Sequence, residues 1–424
     1  MKPASQIANG HCMRLLILTK NYPPRSCGVG DYAHRLAQEF TAAGDSVTVL
    51  TEPAAEPRHL AISLRELPLR GWRDLRPVVD AVAASAPDRV QLEYSAYGWG
   101  RWGTAWWVNA LLFRLRRRGI PVHVGLHELA ISMRRHPLQT PLAMAQWLHI
   151  ALIVSAAKTV AVNMRSRAVL LERLFPWWRE KIRYRPNSSN ISVVPMAQAG
   201  KESFRRERGV APGELVVATF GLLHPAKNYE GLIEAAAHVR QSIPAKLWML
   251  GDRAAASPEY VARLERLARE LGIEQLLWWP GRLEPAEISR ALQAADVFVL
   301  PQSDGQLTRS GAFMAAAAHG LPVVAVRQPG GRDQMEFTHG QHLWLVEHST
   351  PEELSAGIRA LASDREAASR MGCRLRELYA ARFDWRVTAA AGCAAAANLP
   401  AAVADPEPTG RRPVAAGPVS AGHS

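Results

Sequence analysis

The chain has little cysteine: four in 424 residues, at Cys12, Cys27, Cys373 and Cys393. None forms a C-x-x-C pair or stands beside histidine at metal-ligand spacing, so neither a disulfide framework nor a cysteine-based zinc site is expected. Inert thiols in a reducing compartment are the expectation. Long apolar runs are also missing. The longest, 143–162, is broken by Gln146, His149 and Lys158, so no unbroken run approaches the roughly 20 residues that a bilayer span needs. Residues 1–12 carry no apolar core followed by a small-residue cleavage site, so no signal peptide is read. No repeat at a solenoid period is present. Acidic residues are outnumbered, 38 Asp and Glu against 51 Lys and Arg, for a net charge of +13. The excess is local: residues 101–190 hold 15 Lys or Arg against Glu128, Glu172 and Glu180, a balance of +12.

What is present is an alternation of strand-like and helix-like segments long enough for two cores. Residues 14–19 form an apolar run. Residues 31–43 (DYAHRLAQEFTAA) place Tyr32, Leu36 and Phe40 on one helical face. Strands are read at 46–51, 88–93, 121–126 and 159–163. After a polar stretch the rhythm resumes with strands at 215–220, 246–250, 275–279, 296–300 and 322–326, separated by helices at 229–240, 259–271, 284–294 and 310–319. Such alternation predicts parallel sheets with right-handed crossovers, an α/β chain of two doubly wound domains. The expected division is a disordered extension at 1–12, a first domain at 13–200, a second at 201–382, a crossover helix at 383–397 and a disordered tail at 398–424. The tail is Ala, Pro and Gly with almost no large apolar side chains.

Several passages carry a family resemblance. Asn21-Tyr22-Pro23-Pro24 with Cys27-Gly28-Val29-Gly30 forms a strand–Gly loop–helix opening. Residues 220–228 (FGLLHPAKN) form a strand followed by a Lys-bearing loop. Gly281-Arg282-Leu283 precedes a helix and then Ala295-Asp296-Val297-Phe298-Val299-Leu300-Pro301. His319-Gly320-Leu321-Pro322-Val323-Val324-Ala325 and Phe383-Asp384-Trp385 follow. In order and spacing these passages resemble the family 4 glycosyltransferases over about 13–395. The resemblance implies a GT-B architecture, two Rossmann-like domains facing a cleft, and transfer of a sugar from a nucleotide-sugar donor with retention of configuration. Typical members carry Glu-x7-Glu before the G-x-P-V strand. Here those positions fall on Leu307 and Ala315, and the loop Asp304-Gly305-Gln306-Leu307-Thr308-Arg309-Ser310-Gly311 resembles a divergent branch reading D-G-x-S-x-R-R-G. The Arg often found beside the glycine of the phosphate strand is Leu222.

Breaking the bond between an anomeric carbon and a diphosphate develops negative charge on the leaving group. No Asp-x-Asp occurs to hold a metal there, so no metal and no cofactor are expected. Cations and backbone N–H groups would then take the charge. The resemblance implies donor contacts from Gly221, Lys227, Asp304, Gly305, Arg309, Ser310, Gly311 and Glu336, the last one residue out of register with the family's ribose-binding Glu. Lys227 and Arg309 are assigned catalytic charge stabilisation. His127 follows a strand and resembles the family's cleft histidine, facing donor sugar and acceptor. Gly28 and Gly30 let backbone approach the cleft.

Basic residues also interleave with Trp and Leu, at Trp106, Trp107, Arg114, Arg116, Arg117 and Arg118, and again at Arg173, Trp177, Trp178, Arg179 and Lys181. This pattern suits an anionic membrane surface, with a glycan or lipid-linked acceptor for a cytoplasmic enzyme peripheral on the inner face of the membrane. Nucleic acid is not expected, because no RNA- or DNA-reading motif accompanies the charge. Two alternatives stand beside this reading. One is a non-catalytic relative that binds a nucleotide sugar or a partner, favoured by the missing Glu pair. The other is a nicotinamide-dependent oxidoreductase: Ala33 stands at the dinucleotide fingerprint's third glycine, a place some members fill with Ala, so it is the family resemblance of the C-terminal half that disfavours this alternative.

Overall fold

The structure is a computed structural model and describes residues 12–25, 27–53, 62–130, 140–254, 256–328 and 334–393. Residues 1–11 of the expected extension and the whole expected tail lie outside that set.

The first domain runs β1 (Arg14–Thr19), α1 (Gly28–Ala42), β2 (Ser46–Thr51), β3 (Ser63–Glu66), α2 (Leu75–Ala84), β4 (Arg89–Tyr94), α3 (Ala96–Trp99), α4 (Trp106–Arg117), β5 (Val122–Leu126), α5 (Thr140–Ala156), β6 (Thr159–Val162), α6 (Arg165–Leu174) and β7 (Ile182–Tyr184). Its seven parallel strands are ordered β3-β2-β1-β4-β5-β6-β7. The second domain runs α7 (Gln198–Arg206), β8 (Leu215–Phe220), α8 (Tyr229–Arg240), β9 (Ala245–Leu250), α9 (Pro258–Glu270), β10 (Leu277–Trp278), α10 (Pro285–Ala294), β11 (Val297–Leu300), α11 (Gly311–Ala318), β12 (Val323–Val326), β13 (Trp344–Val346), α12 (Pro351–Ser363) and α13 (Arg365–Arg382). Its six strands are ordered β10-β9-β8-β11-β12-β13.

Each sheet reverses direction once, between β1 and β4 and between β8 and β11. In open α/β sheets ligands bind at such switch points, outside the carboxyl ends of the strands. The loops that leave β1, β4 and β5 in one domain, and β8 and β11 in the other, are therefore the ones placed for chemistry.

The central strands are runs of Leu, Ile and Val because both faces are covered by helices. Leu16, Leu18, Val90, Leu92, Val122, Val124 and Val160 share one buried cluster, and Val216, Ala218, Phe298, Leu300, Val323 and Ala325 another. The edges differ from the expectation. β3, β7 and β13 are strands that the sequence rhythm does not announce, and the expected strand at 275–279 is a 3-10 turn at Glu274–Leu276 followed by the two-residue β10. These short edge pieces are set by pairing to a neighbour, not by a run of β-formers; β3 reads SLRE and is almost wholly exposed.

After α13 the chain crosses back. α14 (Trp385–Cys393) packs on α1, and Trp385 joins Tyr32, Leu36 and Phe40 in a buried cluster of the first domain. Trp385 Nε1 also donates to Ser189 O at 2.5 Å, and Ser188 Oγ meets Thr388 Oγ1 at 2.9 Å. The connection between β7 and α7, which joins the domains, is thus fixed to the returning helix.

Candidate active site

The second domain's contribution starts where β8 ends. Gly221 has φ +129°, a left-handed conformation that glycine alone adopts without strain. The chain then turns through Pro225–Lys227, and Asn228, itself left-handed, caps α8 by accepting from Gly231 N at 3.2 Å. Asn228 Nδ2 donates to Ser349 O at 2.7 Å, which pins the loop from beneath. This geometry delivers Lys227 to the carboxyl edge of the sheet, where its Nζ donates to Oε1 of Gln302, the buried residue two past the end of β11. Gln302 in turn donates to Asp304 Oδ1 at 2.9 Å. Burial lowers the Lys227 ammonium below its ordinary range; Asp304 pulls it back up and Arg309 pushes it further down. Two cations and one carboxylate therefore share one small region.

The loop carrying them is tightly specified. Gly305 has φ +58°, and a Cβ there would lie 2.9 Å from the backbone of Gln328. Gln334 Nε2 donates to Gly305 O and Val326 O, both at 2.8 Å. Ser310 caps α11 by accepting from Phe313 N at 3.2 Å. Gly311 opens that helix with empty space around its missing Cβ. The N-terminus of α11 and Arg309 beside it offer N–H groups and positive charge to an anion.

The first domain's contribution centres on His127, just after β5. Its backbone N–H donates to Tyr94 O at 3.0 Å, and its carbonyl accepts from Arg167 at 2.8 Å. Its Nε2 lies 2.7 Å from Glu93 Oε2, and Tyr32 of α1 meets the ring edge-on at 5.2 Å. Arg185 donates to both oxygens of Glu93, at 3.0 and 3.3 Å. Gly30 lets α1 start close to the β1 loop, since a Cβ there would lie 2.8 Å from Asn21 O; at Gly28 the same atom would meet nothing.

The two halves touch. Asn187 N donates to Thr308 O at 2.9 Å and its Nδ2 to Arg309 O at 2.8 Å, while Thr308 Oγ1 donates to Asn163 O at 3.1 Å. Asn163 and Asn187 line one small cavity with Tyr32, His127 and Arg185. The loop bearing Arg309 and the histidine of the other domain thus share the same asparagines.

Residues 200–377 match the family model for glycosyl transferases group 1. The second domain is a group 1 glycosyltransferase domain. A D-inositol 3-phosphate glycosyltransferase of Nocardia farcinica is 28% identical over 243 residues, 56% of this chain and 52% of that protein. A GDP-mannose-dependent monoacylated alpha-(1-6)-phosphatidylinositol monomannoside mannosyltransferase of Corynebacterium glutamicum is 29% identical over 200 residues, 46% of this chain and 50% of that protein. The match spans about half the length of such curated relatives. Among solved structures, Anabaena HepE in complex with UDP superposes with a TM-score of 0.69 over 91% of this chain and 100% of its own, at 18% identity. Sucrose-phosphate synthase of Thermosynechococcus elongatus gives 0.67 over 90% and 97%, at 19% identity. The fold is GT-B.

Against the glycosyltransferase pattern, Leu307 and Ala315 stand where the two glutamates would be, and both are fully buried in the apolar cluster around Phe313 and Phe337. No carboxylate occupies either place. Glu336 is paired with Arg165 of the first domain at 3.0 Å, so in this conformation it ties the domains together. Glu93, Arg185 and Gln302 are site residues that the sequence reading missed. A signal existed for Glu93: Arg89, Gln91 and Glu93 alternate along a strand that is buried at every position, where a continuous apolar run is the rule. Among the described residues, no group of three His, Cys, Asp or Glu side chains could hold a metal ion, and no helix is long and apolar enough to cross a membrane.

Proposed function

We propose that this protein transfers a glycosyl group from a nucleotide-sugar donor to a glycan or lipid-linked acceptor, with retention of configuration and without a metal. The observation that carries the reading is the meeting of Lys227, Arg309 and the start of α11 at the carboxyl edge of β8 and β11. Those groups suit a leaving diphosphate: Lys227 is a partly desolvated ammonium whose direct partner is a neutral amide, and a helix N-terminus adds N–H donors. The bond from C1 of the sugar to phosphate oxygen breaks, the acceptor oxygen bonds C1 on the same face, and the acceptor proton goes to the departing phosphate. His127 then stands on the sugar and acceptor side.

The surface of the first domain supports an anionic bilayer as the place of reaction. Tyr97, Trp102, Trp106, Met144 and Leu148 are exposed together near the carboxyl edge of β4, Trp102 and Met144 by 61% each. Gln146 links Tyr97 and Trp102, and Arg101 lies over the Trp102 ring. Arg114 and Arg117 continue the outer face of α4. Apolar side chains next to arginine suit the headgroup region of an acidic membrane. The relatives named for inositol phosphate and phosphatidylinositol mannoside acceptors support a phosphorylated or lipid-linked acceptor.

The test is turnover and thermal shift with UDP-, GDP- and ADP-sugars, with and without EDTA. One donor giving both signals, unchanged by EDTA, supports the reading and names the base. Binding without turnover, in the presence of acidic glycolipid extract as acceptor source, would favour the non-catalytic alternative that the buried Leu307 and Ala315 suggest. In the same preparation, sedimentation with phosphatidylglycerol vesicles should be strong for wild type and weak for Trp102→Ser combined with Leu148→Ser.

A further inference from the structure

β4 carries an unusual inner face. Arg89, Gln91 and Glu93 point to one side of the strand, as period two requires, and all are buried. They form a chain: Arg89 donates to Gln91 Oε1 at 3.0 Å, and Gln91 Nε2 donates to Glu93 Oε1 at 2.9 Å. The chain ends on Arg185 and His127. Room for it is made by Gly125, because a Cβ there would lie 2.2 Å from Glu93 Oε2 and 2.5 Å from Arg185 Nη2. Burial alone would raise the Glu93 carboxyl, but Arg185 and the His127 hydrogen bond outweigh it and hold the group at about 2. Glu93 is an anion at any working pH.

An anionic carboxylate can only accept hydrogen bonds. The imidazole nitrogen 2.7 Å away, Nε2, must therefore carry a hydrogen. Nδ1 has no hydrogen-bond partner among the described residues and is not among the atoms buried away from solvent. We infer that Glu93 is a positioning residue: it holds a hydrogen on Nε2 of His127, so that in the uncharged imidazole Nδ1 is the nitrogen left to accept from a hydroxyl of the donor sugar or the acceptor. Tyr32 packs against the imidazole ring, and Arg167 holds the backbone carbonyl of the same residue. The inference rests on the transferase reading for its consequence and on geometry alone for the tautomer.

The experiment uses full-length protein labelled with 15N-histidine, comparing wild type with Glu93→Gln, Glu93→Asp and His127→Phe, the last assigning the His127 signals. Long-range 15N–1H correlation at neutral pH should show His127 in the Nε2–H form in wild type. Glu93→Gln should give a mixture of tautomers, since an amide both donates and accepts. Glu93→Asp keeps charge opposite Arg185 but withdraws it by one methylene, and should shift the same way with less risk to folding. Carboxylates that orient the histidines of metal sites are worth about 10- to 100-fold, and by analogy kcat should fall by that factor in either variant with KM for the donor within about threefold. Glu93→Asp combined with His127→Phe should be no slower than His127→Phe alone. An Nδ1–H wild type, or folded variants whose tautomer does not move, would overturn the inference. If wild type turns over no donor, the transferase reading fails while the spectra still judge the Glu93–His127 pair.

Discussion

Replacing Lys227 by Met removes the ammonium while keeping an unbranched chain of similar length. In the structure that ammonium is partly buried, its direct hydrogen-bond partner is the neutral Gln302 amide, and burial dominates its environment. A charge held this way contributes little to the ligand-free fold, because the desolvation cost and the single hydrogen bond roughly offset each other. Stability should change by less than about 1 kcal/mol. The same preorganised charge acts at nearly full strength once a diphosphate arrives, since little water screens it. Losing one such preorganised group costs about 2.7–4 kcal/mol in the transition state, or 10²- to 10³-fold in rate. Steady-state kinetics with the accepted donor should show that drop in kcat/KM, with an unchanged melting curve. Lys227→Arg should recover only part of it, because the guanidinium is planar and broader than the ammonium it replaces. A Met variant within about fivefold of wild type would refute the assignment of diphosphate binding to this loop.

The other predictions test the frame around that loop. His123 lies 2.8 Å from Thr159 Oγ1 and is kept neutral, chiefly by burial, down to about 3 against an ordinary 6.5. Its unfolded form therefore binds a proton over that window while the folded form does not, and stability should fall with acid by up to about 1.4 kcal/mol per pH unit; His123→Gln should flatten the slope between pH 6.5 and 3 in denaturant titrations. Restoring a family glutamate by Ala315→Glu should destabilise the fold by about 3–5 kcal/mol, the cost of an unpaired buried charge, without raising activity; a folded, faster enzyme would show that the site has room for it. Trp385→Ala should cost about 3–5 kcal/mol by loosening α14 from α1, read as a lower unfolding midpoint. Glu336→Gln should leave stability nearly unchanged, since a partly exposed pair contributes about 0–1 kcal/mol, and a raised donor KM in that variant would give Glu336 a part in donor binding beyond its pairing with Arg165.

How much of this was legible in the sequence depended on whether the signal was local. The central strands, Gly221, the Lys227 turn and the Ser310 cap are written in contiguous residues: an apolar run, a glycine where the backbone turns left-handed, a serine before an apolar helix. Each is decided by neighbours within a few positions, so the order of residues suffices. Edge strands such as β3 and β13 are decided by a partner far away in the chain, and their composition says little. The site divides the same way. Lys227 could be placed because it follows a strand and Arg309 because it opens a helix, but Gln302, which binds Lys227, and Asn187, which holds the Arg309 loop to the first domain, depend on contacts 75 and 122 residues apart. Glu93 lies between these cases. Its partner Arg185 is 92 residues distant, yet the polar alternation of β4 marks a strand whose inner face is not ordinary core. A charged residue at the carboxyl end of a buried parallel strand has to be paired, and in a doubly wound domain the groups within reach are those at the ends of the adjacent strands. By that argument Glu93 points to the residue after the adjacent β5, His127, whereas Arg185 follows the edge strand β7, three places along the sheet, and reaches Glu93 only through its long side chain.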